Sequence, residues 1–232
     1  RLLWRTDGHL SDHTPTSRTD VWSDTILDKI RQIGQLATDH ACHAVLDGGD
    51  LFHDKTPGKT SHALMSRLYE VQTAYPCPIY GNVGNHDCRL GQFEFLQEGP
   101  LGSLFSSGVM KRCFNEHEVH IREDGVHVRI VGIPYHGPKY DLDRFRAVCK
   151  GSEDHLIVLA HVLASPQGGE MFANEDIIKY QDLLTLCPGA SVFCFGHWHK
   201  DQGIARLGRM QVVNVGSFSR GSLSQDDLDR IP

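Results

Sequence analysis

Short apolar runs that end in polar residues alternate along the chain with stretches whose apolar positions recur at helical spacing. Leu2-Leu3-Trp4 runs into Thr6-Asp7-Gly8-His9. After a polar, Pro15-containing loop, Trp22, Ile26, Ile30, Ile33 and Leu36–Ala37 predict a helix over 20–40 with Asp20 as its N-cap. Ala44-Val45-Leu46 reads as a strand entering Asp47-Gly48-Gly49-Asp50, where two glycines permit close backbone approach to the carboxylate. Leu64, Leu68 and Val71 predict a second helix over 60–75, stopped by Pro76-Cys77-Pro78. Ile79-Tyr80 then leads to Gly81-Asn82-Val83-Gly84-Asn85-His86-Asp87. Strand, helix, strand, helix, strand is the rhythm of an α/β sheet.

The pattern then becomes irregular, with Phe93, Phe95, Leu96, Leu101, Leu104 and Phe105 suited to packing under short helices and loops. Val119–Ile121 and Val126–Ile130 alternate around Glu123-Asp124-Gly125, a hairpin signal that puts His120 and His127 on the polar face. A short amphipathic helix is expected over 141–150, and a buried strand, Leu156–Ala160, delivers His161. A helix is expected over about 174–186. Val192-Phe193-Cys194-Phe195 delivers Gly196-His197-Trp198-His199, and strands around Leu207–Arg209 and Val212–Val215 precede Gly216-Ser217-Phe218-Ser219-Arg220. No repeat, low-complexity tract or linker divides residues 1–232, so one domain is expected.

With 232 residues the chain can bury a sizeable core. No apolar run reaches the roughly 18 residues of a membrane span, and no membrane partner is expected. Its first residues are neither a signal nor a transit peptide, and an initiator Met is lacking. Seven scattered cysteines form no Cys-x-x-Cys pair, so neither a zinc ribbon nor a disulfide framework is expected, and a reducing, cytoplasmic setting is read. A formal charge of -6 does not advertise a polyanion-binding surface.

Fifteen histidines are the compositional oddity. Asp7 and His9 are two apart, so at the end of an extended segment both point the same way. Taken singly, Asp-Gly and Gly-Asn-His-Asp are also ordinary turn sequences. Yet Asp7/His9, Asp50, Asn85/His86/Asp87, His161 and His197/His199 each follow a strand-like run, and ligand sites in α/β sheets gather beyond the carboxyl ends of strands. Mixed O/N donors suit Mn, Fe or Zn. Seven ligands (Asp7, His9, Asp50, Asn85, His161, His197, His199) exceed what one catalytic ion with an open position needs. Two ions about 3.5–4 Å apart, sharing one carboxylate, would use them all.

Asp-x-His, Gly-Asp, Gly-Asn-His-Asp, a lone His and Gly-His-x-His, in this order over nearly the whole chain, resemble the calcineurin-like metallophosphoesterase superfamily. The resemblance implies an α-β-β-α sandwich, two mixed sheets flanked by helices. It implies Asp7, His9, Asp50 and His199 on one divalent ion and Asp50, Asn85, His161 and His197 on the other, Mn2+ first, with Fe or Zn as alternatives. His86 would be the general acid, oriented and kept protonated by Asp87, while a hydroxide activated by both ions attacks phosphorus.

Gly48–Pro57, the Asp7-Gly8-His9-Leu10 start and Asn214–Arg220 are similar to SbcD-type DNA repair exonucleases. Serine/threonine phosphatases of the superfamily typically carry Arg where Val83 stands, and purple acid phosphatases place a Tyr ligand where His53 stands. The similarity implies DNA as substrate, an SMC-like ATPase as partner, a possible homodimer and a bacterial or phage setting. Arg18, Arg89 and Arg220, with Lys55 and Lys59, are candidates for substrate contacts; His53 would touch substrate or buttress Asp50. Hydrolysis of nucleotides or cyclic nucleotides, as phosphodiesterase or phosphomonoesterase, is the alternative, and a metal-binding scaffold the third reading.

Overall fold

A computed structural model of the chain describes residues 1–89, 92–171 and 175–221. The first half runs β1 (Leu2–Arg5), α1 (Trp22–Asp39), β2 (Ala44–Asp47), α2 (His62–Thr73), β3 (Ile79–Gly81), α3 (Pro100–Ser107) and β4 (Lys111–Arg112). The strands form a parallel sheet in the order β1-β2-β3-β4, with Leu3 opposite Val45 and Val45 opposite Ile79. Alternation sends Leu3, Val45 and Ile79 into a core with the buried faces of α1 and α2, through Trp22, Ile26, Ile30, Leu64 and Leu68.

The second half runs β5 (Val119–Glu123), β6 (Val126–Ile133), α4 (Leu142–Val148), β7 (His155–His161), β8 (Ala164–Ser165), β9 (Gly169–Met171), β10 (Glu175–Lys179), α5 (Leu183–Leu186), β11 (Ala190–Gly196), β12 (Gly203–Leu207) and β13 (Met210–Asn214). Six strands make a mixed sheet in the order β12-β13-β11-β7-β6-β5, and β8-β10-β9 is a small separate sheet. The two main sheets pack face to face through Ala44, Leu46, Ile130, Leu159 and Cys194. On the outer face of the mixed sheet, Val158, Phe193 and Phe195 pack with Phe145 of α4 and Leu183 of α5. The layers are therefore α-β-β-α, as the motif resemblance implied. No helix among the described residues is long and apolar enough to cross a membrane.

The β5–β6 hairpin forms as expected, because Asp124 and Gly125 both take positive φ (50° and 79°), which closes a two-residue turn. His120 is exposed and His127 half-buried against it, their rings stacked at 5.1 Å.

Three expectations need correction. Asp20 does not cap α1: Val21 occupies that position without a side-chain bond, because Asp20 is taken by the Arg18 guanidinium (2.7 Å to each oxygen) and the Thr25 hydroxyl. The helix expected over about 174–186 is instead β10, a 3-10 turn (Tyr180–Asp182) and the one-turn α5. Adjacent β-branched Ile177 and Ile178 find strand partners on both edges, at Gly169 and Ala164; Asn174 lies outside the described residues. Finally, Cys149 and Cys187 are joined in a disulfide, with Cα atoms 5.3 Å apart. Although 38 residues separate them, α4 and α5 lie on one sheet face and bring their following residues together. The other five cysteines are free.

Candidate metal centre

Because β1, β2 and β3 are parallel, their carboxyl ends open on one rim. The loops leaving β1 and β2 are zipped together: Asp7 N–H donates to the Gly49 carbonyl and His9 N–H to the Asp50 carbonyl, both at 3.0 Å. In the second sheet, parallel β7 and β11 end side by side at His161 and Gly196, so His197 and His199 follow on the same rim. Asp7, His9, Asp50 and His197 all have positive φ (56°, 47°, 52° and 85°). Such backbone is costly for residues with a Cβ and persists where the surroundings enforce it, often at functional sites.

Among the described residues three donor groups result: His9 with His53 and His86, and the two that the motifs pointed to. Asp7, His9 and His199 bring donor atoms within 4.8 Å of one another, as do Asp50, His161 and His197. His9 Nε2 and His199 Nε2 converge to 2.9 Å, and His199 Nε2 is 3.7 Å from Asp7 Oδ1. Asp50 lies between the groups, with Oδ2 3.3 Å from His161 Nε2 and 3.9 Å from His9 Nε2. Its other oxygen accepts His86 N–H at 2.7 Å. Asp7 is likewise held, by the Thr6 hydroxyl at 2.6 Å and His197 N–H at 3.1 Å.

The donor set fits divalent ions on three further observations. Asn85 Oδ1 and His161 Nε2 are buried without a hydrogen-bond partner, an arrangement that is expensive unless something else satisfies them. His161 Nδ1 donates to the Gly48 carbonyl at 2.9 Å, which leaves Nε2, turned toward Asp50, as the nitrogen that would meet an ion once its proton leaves. Burial opposes charge on Asp50 and His161, yet their mutual attraction wins. Asp50 is held below the carboxylate range and His161 rises to about 10. In the metal-free protein the His161 proton faces Asp50, at the place a divalent ion would take.

His86 reaches the same rim, but not as the sequence suggested. Its Nδ1 donates to the His53 carbonyl at 2.6 Å, and its ring stacks on His53 at 5.3 Å and meets His9 edge-on at 4.9 Å. Asp87 does not orient it. That buried carboxylate instead accepts N–H groups from Asp50 (2.7 Å), Gly84 (2.8 Å) and Phe52 (3.3 Å). Burial, only partly offset by Asp50, lowers His86 below the usual histidine range, while burial and Asp50 raise Asp87. His9, His53, His86 and His199 line a cleft of about 310 Å³ together with Pro15, Trp22 and Ser219.

The three arginines singled out in the sequence are not in that lining. Arg18 pairs with Asp20 and lies over the Trp22 ring, and its Nη1 donates to the Arg220 carbonyl at 3.4 Å. Arg220 is half-buried, and Arg89 sits over Phe95 near Glu98.

Supporting residues escaped the sequence reading. Buried Arg5 donates to Asp47 (2.7 Å) and Tyr75 (3.0 Å), while Asp47 accepts Gly49 N–H (3.0 Å), bracing the loop that carries Asp50. Trp22 Nε1–H holds the His9 carbonyl at 3.0 Å. Ser217 and Ser219 hydroxyls both donate to the Asp7 carbonyl, at 2.6 and 3.1 Å, so the closing segment underpins the first cluster. Glu175 Oε2 lies 3.1 Å from His197 Nε2. Asp47 beside its glycines and the serines of the closing run were visible signals; Glu175, inside a span that reads as helix, offered none.

Comparison with known proteins agrees with this geometry. Residues 8–201 match the family described as Calcineurin-like phosphoesterase. No curated protein sequence matches the chain significantly. Among solved structures, a dimetal phosphatase from Danio rerio superposes with a TM-score of 0.62 at 12% identity, covering 93% of this chain and 87% of that one. The protein TT1561 of Thermus thermophilus gives 0.59 at 15%, covering 95% and 90%. The NAD nucleotidase of Haemophilus influenzae gives 0.54 at 14%, covering 94% of this chain and 50% of its own. At these identities the likeness is one of fold, and the match over residues 8–201 carries the assignment: the chain belongs to the calcineurin-like phosphoesterase family and is a metal-dependent phosphoesterase.

Proposed function

We propose that the chain hydrolyses phosphodiesters with two divalent ions, Mn2+ first among them, and that its substrate is DNA. The observation that carries the reading is Asp50 set between the two ligand groups, within 3.3 Å of a histidine of one and 3.9 Å of a histidine of the other. Asp7, His9 and His199 would hold one ion with Asp50, and His161, His197 and Asn85 the other. Bound there, the ions supply the positive charge that neutralises phosphate oxygens and makes a water nucleophilic near neutral pH.

The protein's own groups do the rest. His86, with Nδ1–H committed to the His53 carbonyl, has Nε2 left to deliver a proton to the departing oxygen. An incoming phosphate anion favours its protonated form, offsetting the burial that lowers it. The cleft of about 310 Å³ that these rings share with Trp22 and Pro15 would take the leaving half of a diester. The similarity of Gly48–Pro57 and Asn214–Arg220 to SbcD-type exonucleases supports DNA. In that reading Arg18, Arg89, Arg220 and His53 contact the strand, and an SMC-like ATPase or a second copy completes the assembly.

A second reading rests on the cleft itself: about 310 Å³ with an apolar wall at Pro15 and Trp22 suits a single nucleotide. One assay separates the two. Wild type and Asp50→Ala are incubated with Mn2+ and end-labelled linear DNA, circular single-stranded DNA, bis(p-nitrophenyl) phosphate or nucleotides. Metal-dependent loss of DNA by the wild type alone supports the nuclease, and cutting of the circle shows endonuclease action. Turnover restricted to small esters selects the second reading, and inactivity toward all of them overturns both.

A further inference from the structure

Glu175 opens β10, a strand of the small third sheet rather than of either main sheet. Its Oε2 lies 3.1 Å from His197 Nε2, and its Oε1 accepts the Tyr135 hydroxyl at 3.3 Å. The Tyr135 ring packs 5.3 Å from the His197 ring and 6.5 Å from that of His161. Both partners are tethered. Tyr135 N–H donates to the Val83 carbonyl at 3.0 Å, and Asp176 N–H, next to Glu175, donates to the Pro138 carbonyl at 2.9 Å.

An ionised carboxylate can only accept a hydrogen bond, so the nitrogen facing it must carry hydrogen. A neutral imidazole with hydrogen on Nε2 has its lone pair on Nδ1. We propose that Glu175, steadied by Tyr135, is a positioning residue that sets the His197 tautomer and ring angle and makes Nδ1 the donor that joins Asp50 and His161. The neighbouring histidine is set by different means, since His161 uses a backbone carbonyl, that of Gly48. His197 has a left-handed backbone, at φ 85°, and a side chain only 13% exposed, so the carboxylate meets it in a mostly buried setting. Carboxylates behind ligating histidines typically change metal affinity by about 10–100-fold. This inference rests on the two-ion reading above.

The test is Mn2+ titration calorimetry of Glu175→Ala, Glu175→Gln and Tyr135→Phe against wild type, with thermal unfolding of the metal-free proteins. Alanine should weaken one of two binding events about 10–100-fold and leave the other and the metal-free Tm in place. Glutamine, which keeps an acceptor oxygen, should restore part of the loss, and Tyr135→Phe should cost less, about 2–10-fold. Unchanged binding in all three variants, or equal loss at both events with a lowered Tm, overturns the proposal. If alanine does not fold, the glutamine and phenylalanine variants decide. Nitrogen NMR of 15N-histidine-labelled metal-free protein reads the contact directly. At a pH where its ring is neutral, wild-type His197 should carry hydrogen on Nε2, and a neutral ring with hydrogen on Nδ1 alone overturns the proposal. Failure of the wild type to bind two ions would count against the two-ion reading, while that NMR result would still judge the contact.

Discussion

The Asp87 carboxylate lies 2.7 Å from the backbone nitrogen of Asp50, 37 residues earlier in the chain. With Gly84 and Phe52 N–H on the same carboxylate, the fourth residue of Gly-Asn-His-Asp ties its own turn to the loop that carries Asp50. Asp87→Ala would leave three buried N–H groups without acceptors, a loss of about 3 kcal/mol or more. Asp87→Asn, with one acceptor oxygen, should fall between. Urea midpoints of the metal-free proteins measure this, and a midpoint unchanged in the alanine variant would rule the clamp out.

His86→Ala should retain both metal-binding events yet lose about 10²–10⁴ in rate on esters with alkoxide leaving groups, the usual worth of a positioned acid. With p-nitrophenolate, which leaves without a proton, the loss should be much smaller. Equal losses on both ester types would refute the acid role.

Gly84 packs so closely on Asp50 that an added Cβ would collide with its carboxylate and its backbone nitrogen. Neither can yield, since both are buried and bonded. Gly84→Ala should therefore weaken Mn2+ binding and lower Tm together, whereas Gly58→Ala, with open space around it, should do neither.

His136 provides a pH-dependent contribution away from the metal centre. Its Nδ1–H donates to the Pro134 carbonyl (2.9 Å) and its Nε2 accepts Asp141 N–H (2.8 Å), at the residue that caps α4. Burial lowers its pKa, the Pro134 bond and Asp141 oppose, and Arg144 adds to the lowering. A depressed folded-state value means this contribution is present above the unfolded value of about 6.5 and is lost as pH falls through the folded one. Wild type should thus lose stability relative to His136→Gln as pH falls from about 6.5 to the folded value, by up to about 1.4 kcal/mol per pH unit, and no further below it. Parallel stability curves for the two proteins would contradict it.

Thiol counting should find five reactive cysteines in the oxidised, denatured chain and seven after reduction, because Cys149 and Cys187 are paired. Closing a loop of 38 residues is worth about 3–4 kcal/mol in the chain-entropy account, so Cys149→Ser should unfold at correspondingly lower denaturant. Seven thiols without reductant would show the pair open.

What the sequence by itself determined is local in origin. Helical spacing at Trp22, Ile26 and Ile30, strand runs such as Leu156–Ala160, and the Asp124-Gly125 turn announce their conformations from side chains a few residues apart. The five polar clusters were legible for the same reason, since each directly follows its strand. Local pattern misled where tertiary partners competed. Ile177 and Ile178 lie in a span with helical signals, but two strand edges were available to them. Asp20 could cap a helix, but Arg18 and Thr25 occupy it. Only the tertiary structure decided that Asp87 holds loops rather than His86, that Arg5 and Asp47 brace the Asp50 turn, and that Glu175 faces His197. Each of these joins elements distant in the chain, and such contacts are set by how two sheets stack and where their ends meet.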